Sequence, residues 1–277
     1  MKVLVTPDIV YEVGNPTALT ISPEGLRVVY GISRPSRESH KYTNTLWIVD
    51  LDSNNKSKVT PRQLTRGDSD GSPRFSPDGA SVAFLRDDSR GTKQIWVLPM
   101  SGGEAGVVTC IPGGIRDFVW KPDSSGFAAV ADVGTDYYGE VCDKEISVVP
   151  VSRIRFRHDE LGWRGDGYTQ IFNIDIHLGL VEQLTNEDGD QGIPAWSPDG
   201  SKLAYVSDAI PRRDICEGNE VRVLDVESGG NACWAKGLAD ICSITWVPDG
   251  KRLAVVASDD ARAVSYTHLT LPTNREV

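Results

Sequence analysis

The sequence has no apolar run long enough to cross a bilayer, which takes about 20 residues, so no membrane partner is expected. Its opening, Met1-Lys2-Val3-Leu4-Val5-Thr6-Pro7-Asp8, turns polar and acidic too early for a secretory leader, and a cytoplasmic setting is expected. Basic charge is in deficit. Lys and Arg total 29 against 39 Asp and Glu, a net charge of −10. A partner with a phosphate backbone demands the opposite balance, so no nucleic acid is expected. Cysteine is sparse, odd in number and never spaced as Cys-x-x-Cys. Cys110, Cys142, Cys216, Cys233 and Cys242 read as reduced thiols, not as a disulfide framework or a zinc site. The four histidines, His40, His158, His177 and His268, form no ligand pair, and no metal or other cofactor is expected.

Turn formers, by contrast, are plentiful. Gly (27) and Pro (16) are spread along all 277 residues, which points to many short connections. They fall into a repeat. Ile21-Ser22-Pro23-Glu24-Gly25, Phe75-Ser76-Pro77-Asp78-Gly79, Trp120-Lys121-Pro122-Asp123-Ser124, Trp196-Ser197-Pro198-Asp199-Gly200 and Trp246-Val247-Pro248-Asp249-Gly250 align. Pro presets φ for the turn, Asp follows easily, and Gly supplies the positive φ that ends it. The apolar residue two before Pro ends one strand and the residues after Gly open the next. Those second strands, such as Val82-Ala83-Phe84-Leu85, Leu203-Ala204-Tyr205-Val206 and Leu253-Ala254-Val255-Val256, are apolar throughout, as expected where both faces are buried.

Third strands follow at Leu46–Asp50, Gln94–Leu98, Ile171–Asp175 and Val221–Asp225, and outer strands end near Gln63-Leu64-Thr65 and Gln183-Leu184-Thr185. Four strands per repeat is the blade of a β-propeller. The prolines are 54, 45, 76 and 50 residues apart, against roughly 40–50 residues for a blade. The long interval holds one set of outer strands, so it reads as one blade with an insertion at about 150–168. The fold class is therefore all-β: a β-propeller of four-stranded blades, about five of them, in an incomplete ring.

The chain resembles the propeller of the prolyl oligopeptidase family of serine peptidases, in its acylaminoacyl-peptidase-like branch. The residues that carry this are the opening Thr6-Pro7-Asp8-Ile9-Val10-Tyr11-Glu12, the repeated turns, and the insertion Arg153 to Tyr168 leading into Gln170-Ile171-Phe172-Asn173-Ile174-Asp175. The resemblance implies a domain that gates short or N-acylated peptides toward a Ser-Asp-His triad on an α/β-hydrolase domain outside this chain. It implies that the chain alone is inactive, and it leaves homo-oligomers open. TolB-like propellers share the turns, which makes a non-enzymatic protein-binding scaffold the alternative. Residues 1–263 are expected to form the partial propeller. Val264 to Thr273 resembles translated sequencing adapter, so 264–277 are expected to be non-native.

Candidate sites give way to plainer readings. Gly67-Asp68-Ser69-Asp70-Gly71 matches the Gly-x-Ser-x-Gly nucleophile elbow, but that elbow needs a helix after it, and here a strand and turn follow. Asp68, Asp70, Asp188 and Asp190 supply only fragments of a calcium loop. Asp132 to Asp143, with Asp136, Tyr137, Tyr138 and Glu140, and the arginines Arg153, Arg155, Arg157 and Arg164 read as exposed loop and charged insertion. Trp120, Trp196 and Trp246 share one repeat position and read as core. No catalytic residue is assigned.

Overall fold

The computed structural model describes residues 6–51, 60–134, 154, 157–158, 162–163, 167–211 and 218–258. The segment to either side of β-hairpin Arg157–Trp163, the acidic stretch 135–143 and the tail 264–277 lie outside these residues, as do Arg153, Arg155, Arg164, Cys142 and Cys216. A single turn of 3-10 helix at Pro7–Tyr11 precedes an otherwise all-β architecture.

The first sheet is β1 (Asn15–Ile21), β2 (Arg27–Pro35), β3 (Tyr42–Asp50) and β4 (Arg62–Gln63), hydrogen-bonded in chain order. The second repeats it with β5 (Gly71–Phe75), β6 (Ser81–Asp87), β7 (Lys93–Pro99) and β8 (Gly106–Val107). The third begins with β9 (Ile115–Trp120) and β10 (Gly126–Val133). A two-stranded hairpin, β11 (Arg157–His158) with β12 (Gly162–Trp163), then intervenes. The sheet is completed by β13 (Tyr168–Asp175) and β14 (Leu180–Gln183). The extra length of the third repeat thus falls between its second and third strands.

A five-stranded sheet follows: β15 (Gln191–Trp196), β16 (Lys202–Ser207), β17 (Asn219–Asp225), β18 (Asn231–Trp246) and β19 (Leu253–Ser258). The 16 residues of β18 serve two repeats. Its first half pairs with β17 as an outer strand, and its second half pairs with β19 as the inner strand of the next repeat. All-β sheets of four antiparallel strands, joined by one recurring turn, are the blades of a propeller.

Each copy of the turn joins the first and second strands of its repeat, and all five have one geometry. The residue before Pro (Ser22, Ser76, Lys121, Ser197 or Val247) donates its N–H to a carbonyl five residues on, at 2.8–2.9 Å. Its own carbonyl accepts from the residue closing the turn, at 2.8–3.0 Å. That closing residue has φ between 63° and 74° in every copy, including Ser124, the one non-glycine. The result is a type I turn closed by a left-handed residue, a standard hairpin solution. The first strand of each repeat also carries a register shift, at Pro16/Leu19, Gly71/Arg74, Gly192/Ala195 and Ala239/Ser243, and opposite Ile115 in the third sheet. Ser72 and Ile193 occupy the bulge at φ 49°, which is a strained value for β-branched Ile193.

The chain divides into two compact units, one holding residues up to Asp132 with Ile171–Leu184, the other Val133–Gln170 with the residues from Thr185 onward. In the first, β6 shows why its sequence does not alternate. Val82 and Phe84 pack with Val29, Leu46 and Ile48 of the first sheet. Ala83 and Leu85 pack with Ile115, Phe118 and Phe127 of the third. A strand buried on both faces gains from an unbroken apolar run. In the second unit, Ala204 and Val206 of β16 pack with Ile241, Ile244 and Trp246. The expectation fails for Leu253–Val256 of β19, where alternate residues are exposed and Val256 is 60% exposed. The same sequence pattern is there, but among the described residues no sheet lies on its second face.

Candidate functional site

The Gly67–Gly71 loop lies between β4 and β5 and runs directly into a strand. Ser69 forms a bridge beside Asn44, and its Oγ accepts the Asp87 N–H at 3.0 Å. Asp70 is fully buried and receives Arg86 through two bonds, Nε to Oδ1 at 2.6 Å and Nη2 to Oδ2 at 3.0 Å. The loop therefore ties the first repeat to the second. An elbow serine is held out toward a base at the start of a helix; this one is an acceptor for the backbone.

The acidic loops divide similarly. Asp190 accepts the N–H of Thr169 at 2.8 Å and its hydroxyl at 3.2 Å, while Asp68 and Asp188 are exposed. Among the described residues no group of three or more His, Cys, Asp or Glu is placed to hold a metal ion. Asp132 pairs with Arg116 at 2.7 Å. Arg157 opens β11 opposite Trp163. Cys110, Cys233 and Cys242 are free and exposed.

The repeat-position tryptophans join neighbouring repeats. Trp120 Nε1 donates to the Arg74 carbonyl at 3.0 Å, and Trp246 Nε1 to the Ala195 carbonyl at 2.9 Å. Arg74 and Ala195 each precede the motif aromatic of the previous repeat, so the two bonds are equivalent. Both rings are over nine-tenths buried. They fill the gap between sheets and give a first-strand carbonyl of the previous repeat a donor. Trp196, at the same position, is half-buried.

One feature carried no sequence signal. A cavity of about 550 Å³ lies within the first unit. Leu64, Leu98 and Trp96 give it an apolar wall, and Arg66, Arg86 and Glu104 bring charge to it. The Arg86 guanidinium is stacked 4.9 Å from the centre of the Trp96 ring and 5.1 Å from that of Phe84, while Asp70 holds it from below. The partners come from β6, β7 and two connections, spread over some forty positions of chain, so no local motif marks them.

No family model matches the chain. An uncharacterized peptidase of Bacillus subtilis is 27% identical over 81% of this chain, which spans only 34% of that relative. An acylaminoacyl peptidase structure from Pyrococcus horikoshii superposes at a TM-score of 0.69 with 20% identity, covering 92% of this chain and 38% of that one. TolB from Acinetobacter baumannii superposes at 0.54 with 19% identity, covering 89% of this chain and 52% of that one. The chain is a β-propeller related to peptidases and folded like the propeller region of acylaminoacyl peptidases.

Proposed function

We propose that the chain is the propeller of a serine peptidase and limits which substrates reach a catalytic domain encoded beside it. The observation that carries this is the relationship to a peptidase of which the chain spans 34%, with 81% of the chain aligned. The parent enzyme would cleave short or N-acylated peptides. The one serine in an elbow-like pattern, Ser69, is committed to a backbone N–H. The cytoplasm is the compartment this reading favours.

A non-enzymatic scaffold is the second reading, favoured by the shared fold with TolB. Recovering the genomic reading frame beyond Asp260 separates the two. The peptidase reading expects a continuation with a Gly-x-Ser-x-Gly elbow after a strand. Its product should hydrolyse dipeptidyl or N-acylaminoacyl substrates and stop with a serine-directed inhibitor. A stop codon soon after the last sheet is completed supports the scaffold and overturns the peptidase.

A further inference from the structure

We propose that the cavity beside Trp96 binds a small apolar zwitterion, an amino acid or dipeptide with free termini. The inference goes beyond the peptidase reading and stands whether or not that reading holds. The volume of about 550 Å³ lies within the range of roughly 300–1,000 Å³ usual for small-molecule sites.

The lining carries both signs of charge, Arg66 and Arg86 against Glu104, as the two ends of one zwitterion require. Arg86 spends Nε and Nη2 on Asp70, and the two aromatic rings fix its plane. Its Nη1 has no polar partner among the described residues, so one N–H edge of the guanidinium is left for a carboxylate. Arg66 is exposed at the same cavity and makes no ion pair or hydrogen bond among the described residues. Glu104, on the turn between β7 and β8, is likewise exposed and unpaired there. A lone carboxylate in the lining suits an ammonium. Leu64, Leu98 and Trp96 line the same cavity, where an aliphatic side chain would be shielded from water. The Trp96 indole N–H is buried without an acceptor among the described residues.

Calorimetric titration of the purified chain with L-leucyl-L-leucine and, separately, L-leucine tests this. At least one is expected to bind saturably, and the tighter of the two identifies the source. N-acetyl-leucyl-leucine, which lacks the ammonium, should bind roughly tenfold more weakly, the loss expected for one charged hydrogen bond. Glu104→Gln should cost the same factor, and in that variant acetylation should make no further difference. Arg66→Ala should weaken both zwitterions. Both positions are exposed, and unchanged melting of the variants establishes that the fold persists. No saturable binding of either zwitterion overturns the proposal. So does binding that is indifferent to Glu104→Gln, or a full acetylation penalty that survives in that variant.

Discussion

At the scale of single residues, the turn is set by backbone sterics. Gly25 has φ 73°, and nothing lies within 4 Å of where a Cβ would stand. Gly25→Ala therefore isolates the conformational cost, about 1–2 kcal/mol for an L-residue in this region. Gly79→Ala should cost more, since its Cβ would meet Glu24 Oε2 at 3.1 Å and Pro23 Cδ at 3.4 Å. Urea midpoints at unchanged slope measure both. The turn's carboxylates make a second prediction. The Ser197 hydroxyl, the Ser201 N–H and the Ser201 hydroxyl hold Asp199 down to about 2. Asp78 is lowered by the Ser76 hydroxyl and the Ala80 N–H, and Asp123 by the N–H and hydroxyl of Ser125. A carboxylate lowered by folding stabilises the fold above its unfolded value near 4, and that contribution disappears as pH falls through the folded value. Stability should therefore be level above about pH 5 and fall between about pH 4 and 2. Asp199→Asn should make that fall shallower in urea melts taken at each pH. The turn itself was legible in the sequence, because Pro, Asp and Gly impose it locally; the approach of Gly79 to Pro23 and Glu24 of the preceding repeat was not.

At the scale of elements, legibility depended on whether the cause lay within the strand. Runs such as Val82–Leu85 announced burial on two faces, and β6 is buried so. Leu253–Val256 carries the same signal, but β19 is exposed on alternate residues because burial is conferred by a neighbouring sheet. The tryptophan position was readable as core, while its bond to a carbonyl 46 residues earlier was not. Trp120→Phe keeps most of the ring volume and leaves the Arg74 carbonyl without its donor, at an expected cost of about 1–3 kcal/mol. The Gly-x-Ser-x-Gly match misleads because a five-residue pattern says nothing of the strand that follows. Ser69→Ala should leave any hydrolysis by the parent enzyme unchanged. Asp70→Ala should destabilise the fold by about 3–5 kcal/mol, because it strands a part-buried Arg86. A melt that moves for Asp70→Ala and an assay that does not for Ser69→Ala would together assign the loop to architecture. The cavity lay beyond sequence reading for the same reason: Arg66, Arg86, Trp96 and Glu104 meet only through pairing of β6 with β7 and the return of the chain beside them.

At the scale of the molecule, the repeat makes every blade a template for its neighbours, and that has a consequence at the first one. Ile21 holds the motif position that Phe75, Trp120 and Trp246 hold elsewhere. Those three are at most 9% exposed, while Ile21 is 55% exposed, and Leu19 beside it is 64% exposed. β1 is thus an inner strand by sequence with a bare apolar face among the described residues, and Val256 of β19 is another such position at 60% exposure. Each side chain withheld from water would gain about 1.5–3 kcal/mol. Contiguous exposed strands of this kind pair with one another unless charge or a covering element prevents it. The purified chain is expected to self-associate in a concentration-dependent way, measured by light scattering across a dilution series. Leu19→Lys with Ile21→Lys places two like charges on that face and should shift the distribution toward monomer without lowering the melting temperature. If the unaltered chain stays monomeric at every concentration, the face is not adhesive. If the double variant associates as strongly as the original, association runs through a different surface.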